Sequence, residues 1–202
     1  MEPAIGMHAG PDAVVVAVSD GPGSPAVVGR WSLRLLDHRN HPELVQPYHA
    51  AAEVLGIEAG RERIKLCEDA ARLAASEIVD QIMTEVGGAI GTPSSAGLVL
   101  GAGRVAGSLE EILRSHVQLH TAEGELLRAA LRHAADSHGL RVVGLPEREL
   151  VPRLAALTQL PEADIIRRVA ETGKALGPPW TKRQKHAFLA AWAALEETRP
   201  GR

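Results

Sequence analysis

Three residues able to bind metal or move protons, His116, His120 and Glu123, follow one another at helical spacing in "SHVQLHTAEGE". Positions i and i+4 stack two imidazoles on one helix face, and Glu123 stands one step further along it. If Ser108–His138 forms a single helix, all three fall within the arc that carries Leu109, Ile112, Leu113, Leu127, Leu131 and Ala134. Polar side chains facing inward need partners, since an unpaired buried one costs about 1–3 kcal/mol. Such a cluster supports divalent-metal binding or acid–base chemistry, with Asp20 as a further ligand. Two bland readings compete with it. A helix break near Thr121 and Gly124 would leave the histidines in solvent, or they are hydrogen-bonded core residues. Two histidines four apart, without the zincin glutamate pattern, do not specify zinc.

A second constellation lies in "PPWTKRQKHAFLAAW". Phe188, Trp192 and Leu195 recur at core spacing, and Thr181 is a helix cap. The first turn therefore carries Lys182, Arg183, Lys185 and His186, where backbone N–H groups already project positive charge and acidic residues are usual. An anionic partner, a lost acidic site or a solvated surface would each account for it. "VLGAGRVAG" sets Gly101, Gly103, Arg104 and Gly107 between an apolar run and a helix start. That is an anion seat or a plain tight turn, and its spacing departs from the dinucleotide fingerprint. "DHRNHPE" places His38 and His41 beside Asp37 and Glu43, a metal loop or a solvated one. The lone Cys67 falls on a core face. Nucleophile elbow, P-loop and paired-cysteine motifs are absent from the sequence.

The elements that must position these groups are legible in the apolar pattern. "DAVVVAVSD", Asp12–Asp20, has the β-branched run of a buried strand, and "GPGSP" turns the chain. "AVVGRWSLRLLD" is one long strand, or two around Gly29 and Arg30. A short helix is expected near Tyr48–Leu55. Ile64, Cys67, Ala71, Ala74, Ile78 and Ile82 predict a long helix over Arg61–Val86, broken by "GGAIGTPSS". "AGLVLGAG" is a second buried strand. Ser108 and Glu111 form a capping box ahead of the next helix, and Leu140–Pro146 is a third short strand. Helices follow over Pro146–Leu157, Pro161–Leu176 and Thr181–Glu197. Antiparallel leading strands followed by alternating helix and strand predict an α/β domain with a mixed sheet.

"LHTAEGELLRAALRHAADSHGLRVVGLPERELVPRLAALT" and "WTKRQKHAFLAAWAAL" resemble the C-terminal half of RuvC-type Holliday junction resolvases, of the ribonuclease H-like superfamily. "VVVAVSDGPG" is similar to the "GIDPG" strand end that carries their first catalytic acid. The resemblance spans about residues 13–37 and 96–195, with 38–60 as an insertion and 198–202 as a flexible tail. It implies one ribonuclease H-like domain over 1–202, with helices on both faces of the sheet. In that family clustered carboxylates hold two Mg²⁺ ions at a scissile phosphate. By the resemblance Asp20 takes the first acid's place, Gly101 the second, and Arg183 and His186 those of the last helix. One acid of the set remains, which implies the fold without the usual two-metal cleavage.

Composition narrows the classes. Apolar residues make up 45% of the chain and aromatics 2%, so alanine and leucine must pack the core. A single cysteine cannot pair within the chain, which points to a reducing, cytoplasmic setting. No run reaches the roughly 20 apolar residues of a membrane span, so no membrane partner is expected. The net charge of −3 divides unevenly: residues 141–202 hold 11 Lys+Arg against 7 Asp+Glu, and residues 1–140 hold 11 against 18.

Three readings follow. The first is a ribonuclease H-like protein that contacts nucleic acid, with cleavage lost or rearranged. If cleavage is kept, Asp20, His120, Glu123 and His186 would serve as metal or acid–base groups, with Mg²⁺ or another divalent ion, and Lys182, Arg183, Lys185 and Arg104 would hold phosphates. The second is a non-catalytic assembly protein, self-associating through an exposed Trp180 or Trp31. The third is a small-molecule metal hydrolase using His116, His120 and Glu123.

Overall fold

The computed structural model describes residues 3–21 and 25–198. Its centre is a strand that the apolar pattern does not announce: β1, Ala4–His8, only five residues long. β1 pairs antiparallel with β2, Asp12–Ser19, and parallel with β4, Ser95–Leu100. β3, Ala26–Arg34, flanks β2, and β5, Arg141–Pro146, flanks β4 in parallel, giving the order β3-β2-β1-β4-β5. The leading antiparallel strands and mixed sheet agree with the expected fold class. "AVVGRWSLR" is one strand, whose register slips between Ala17 and Val18 of β2, so a bulge replaces the break expected near Gly29.

Alternation along the strands sorts two cores. Ile5, Met7, Val15, Ala17 and Leu98 face α2, Ile57–Ile90, and α4, His116–Ser137. Ala4, Val14, Val16, Val18 and Val99 face α5, Leu150–Thr158, α6, Glu162–Leu176, and α7, Lys182–Glu197. Burial on both sides is why β2 reads as an unbroken apolar run. α7 lies against the central strands, its Ala187, Ala190, Ala191 and Ala194 all fully buried. The contact is at backbone distance: a Cβ on Gly6 would coincide with the Ala187 carbonyl oxygen, and one on Gly97 with that of Ala190. An alanine-rich core is the consequence of this approach.

Two helix expectations are corrected. The long helix runs through Gly87 and Gly88 and ends only at Gly91, which takes a positive φ of 109°. Ser108–His138 is not one helix. α3, Leu109–Leu113, carries the expected capping box of Ser108 and Glu111, and the chain then restarts at Ser115, whose side chain caps α4. The break precedes His116, not Thr121, and it resets the helical phase. The buried stripe of α4 is Leu119, Ala122, Leu126, Ala130, Leu131 and Ala134. Residues 38–60 include α1, Pro47–Ala50, which runs on as a wider turn to Leu55. Of the expected tail, 199–202 lie outside the described residues, as do 22–24 of the first turn.

Candidate functional site

Parallel pairing brings the carboxyl ends of β1, β4 and β5 to one edge: His8 lies opposite Val99, and Leu100 opposite Pro146. His8 projects to the same face as Ala4 and Gly6, towards α7. There the first turn of α7 crosses the edge. The Arg183 guanidinium donates to the carbonyls of His8, at 3.3 Å, and Asp12, and its Nε stands 3.3 Å from His8 Nδ1. That nitrogen is also 3.0 Å from the Ala9 carbonyl, so the neutral ring either donates to Ala9 or accepts from Arg183. The His8 and His186 rings stack with centroids 5.9 Å apart. Glu147, just beyond β5, completes the group, and one ligand atom each of His8, Glu147 and His186 lies within 4.8 Å of the others.

The one carboxylate at this edge is paired with a lysine. Lys182 Nζ bonds Glu147 Oε1 at 2.6 Å, and this bond above all holds the Glu147 carboxyl below its ordinary pKa. Burial pushes the pKa of both histidines down, with Arg183 and His186 adding to the effect on His8, and Lys182 and Lys185 to that on His186. His186 Nδ1 is buried without a hydrogen-bond partner, 3.7 Å from Glu147 Oε2. A cleft of about 480 Å³ opens beside it, lined by Gly101, Ala102, Pro146, Glu147, Arg148 and His186. Two imidazoles, one carboxylate already paired with a lysine, and a guanidinium wedged over Gly10 do not fit a pair of Mg²⁺ ions, which require oxygen ligands.

Asp20 belongs to neither this group nor the histidines of α4. β2 runs antiparallel to β1 with Val18 opposite Ala4, so Asp20 follows at the other end of the sheet. Arg183 and His186 stand instead with the end of β1, at His8.

A second cluster forms on the α4 side. His116 and His120 are both exposed, and their Nε2 atoms are 3.1 Å apart. The third member is His49 of α1, which the helical spacing of His116 and His120 does not indicate. Its ring centroid is 4.6 Å from that of His120 and 5.5 Å from that of His116. Glu123 does not point at the same spot. Its Oε1 accepts from His49 Nδ1 at 2.9 Å and from the His49 backbone N–H at 3.3 Å, with the two side chains 11% and 16% exposed.

The remaining candidates are occupied locally. In the glycine-rich loop, the Ala106 amide donates to Gln118 and the Ser108 amide to Glu111, so the chain's own side chains take two amides beside the expected anion seat, and Arg104 is an exposed loop cation. Asp37 bonds Arg34 and Asn40, and His41 bonds Glu43. Burial pushes the Cys67 thiol up to about 11, which suits a core residue. Trp31 donates to Glu85 and Trp180 to the Val169 carbonyl; both are half-buried rather than exposed contact residues. Glu147, His8 and His49 had weak signals at best: an acid directly after a strand, a histidine between glycines and a histidine after a proline.

No protein-family model matches this sequence, and no curated protein matches it significantly. Solved structures do match. One, described as a Thermus thermophilus RuvC structure, superposes with a TM-score of 0.51 at 11% identity, over 95% of this chain and 92% of that one. Another, T. thermophilus RuvC in complex with Holliday junction substrate, gives 0.54 at 12%, over 100% and 97%. At such identity the likeness is one of fold, and it extends over the whole sheet and both helical layers. Among the described residues, no helix is long and apolar enough to cross a membrane.

Proposed function

We propose that this chain, built on the RuvC-type ribonuclease H-like fold, binds nucleic-acid backbones without two-metal phosphodiester cleavage. One observation carries the reading: at the strand edge the resemblance implies to be acidic, His8, Arg183 and His186 stand together, and the nearby Glu147 is paired with Lys182. Such an edge repels Mg²⁺ and attracts phosphate. Arg183 is committed to the His8 and Asp12 carbonyls and sets the shape of the edge. Lys182 and Lys185 are exposed at the α7 N-terminus, and Arg148, 82% exposed at its side chain, lines the adjoining cleft. These are the groups to hold phosphates, assisted by the first-turn amides of α7. A RuvC neighbour is in complex with a Holliday junction, so branched DNA is the first substrate to try.

The test combines binding and turnover on four-way junction, duplex and single-stranded DNA. We expect salt-sensitive binding that Lys182→Ala/Lys185→Ala weakens, and no Mg²⁺- or Mn²⁺-dependent product. Cleavage by the wild type that His186→Ala abolishes would sink the non-cleaving reading. No salt-sensitive binding to any of the three would sink the nucleic-acid reading and leave an assembly role. That second reading has its own support in Leu66 and Leu73, two turns apart on α2 and 51% and 65% exposed; light scattering would then show a stable oligomer.

A further inference from the structure

We propose that His49, His116 and His120 bind one Zn²⁺ ion through three imidazole nitrogens, with Glu123 orienting His49 and a fourth position left for water. Two of the three ligand nitrogens already stand at the spacing such an ion requires. Zn–N bonds of about 2.0–2.1 Å in a tetrahedron set the ligand nitrogens about 3.3 Å apart, and His116 Nε2 and His120 Nε2 are 3.1 Å apart. One nitrogen of each of the three rings lies within 4.8 Å of the others. Two independent elements build the arrangement. Ser115 starts α4 immediately before His116, so that His116 and His120 share its first turns, and α1, opened by Pro47, brings His49 against them.

Glu123 supplies the second argument. Its bond to Nδ1 fixes His49 as the tautomer that donates there, which leaves Nε2 with its lone pair for an ion. A carboxylate on the far nitrogen also raises the basicity of the ligand, and buried metal-binding histidines characteristically have such a partner. The donor set chooses the ion. Three neutral nitrogens, with the one carboxylate turned away, suit a borderline metal such as zinc and not Mg²⁺ or Ca²⁺. Three protein ligands leave one tetrahedral position open, as in zinc sites that activate water. His120 and Glu123 border a cavity of about 420 Å³ walled by Leu36, Leu44, Val45, Leu126 and Leu127, so the open position has an apolar chamber beside it. The proposal does not depend on nucleic-acid binding.

The experiment titrates chelator-treated full-length protein with Zn²⁺, and with Co²⁺ as a visible probe. We expect one ion per chain, a tetrahedral Co²⁺ spectrum that Zn²⁺ abolishes, and a melting temperature raised by Zn²⁺. His116→Ala and His120→Ala, at exposed positions, should each weaken binding at least 100-fold while the metal-free melting temperature holds. Glu123→Gln should weaken it about 10–100-fold with the Co²⁺ spectrum retained, and His186→Ala should leave the Zn²⁺ affinity and the Co²⁺ spectrum unchanged. Absence of a stoichiometric ion, or an ion that survives His116→Ala/His120→Ala, would overturn the site, as would one lost with His186→Ala.

Discussion

At the scale of single residues, His8 and His186 make the chain sensitive to mild acid. Burial holds both rings below the ordinary imidazole pKa, so between the unfolded and folded values the unfolded chain binds more protons. Stability from this source is complete above about pH 6.5 and is lost as pH falls towards the folded values. Thermal melts from pH 7.5 down to 5.5 should show a falling melting temperature, with a shallower slope in His8→Gln and His186→Gln. Glu147 has the same sign in a lower window, because its depressed carboxyl is lost as a stabilising group only below about pH 4.3. The same residues allow the lost-acid idea to be tested in reverse. In His8→Asp/His186→Asp, two carboxylates join Glu147 at one edge and repel one another. That variant should melt below wild type in chelator and recover in millimolar Mn²⁺, whereas wild type should show no Mn²⁺ shift tied to these positions.

Between elements, the decisive contact is α7 on β1 and β4. Gly6 and Gly97 stand where a methyl group would meet the helix backbone itself, and backbone cannot rotate out of the way. Gly6→Ala should therefore cost about 3 kcal/mol or more, read as a lower denaturant midpoint. Because α7 also carries Arg183 and His186, the variant should shift the His8 and His186 environments as well, visible in their ring NMR signals. Gly88, in the last turns of α2 with nothing within 4 Å of a built Cβ, provides the opposite case. Gly88→Ala should stabilise by about 0.5–1 kcal/mol. The two substitutions are identical in chemistry, and only the packing gives them opposite signs.

For the whole molecule, the question is whether a chain of net charge −3 can hold a polyanion. It can if the positive groups are gathered, and the excess of Lys and Arg after residue 141 supplies α7 and Arg148 at the strand edge. Screening confines the effect to within about 10 Å, so distant acidic residues weaken the attraction little. Two phosphate contacts would give a log–log salt slope near −1.8, or about tenfold weaker binding from 50 to 200 mM salt. Lys182→Ala/Lys185→Ala should flatten that slope, which fluorescence anisotropy on a labelled junction would read directly.

What the sequence determined by itself was local. Apolar periodicity located β2, β4, β5 and the long helices, and side-chain chemistry placed caps at Ser108 and Thr181, because these depend on neighbours within a few positions. The oddity of charge at Lys182–His186 was also legible, as was the pairing of His116 with His120. Tertiary structure decided what needs partners far along the chain. β1 is too short to be called a strand before β2 and β4 satisfy its backbone on both sides. Asp20 looks like a site residue until strand direction sends it to the far end of the sheet. His8 meets Arg183 across 175 positions, and His49 meets Glu123 across 74. Spacing along a helix can align two side chains, but the third member of each cluster arrives from another element, and only packing brings it there.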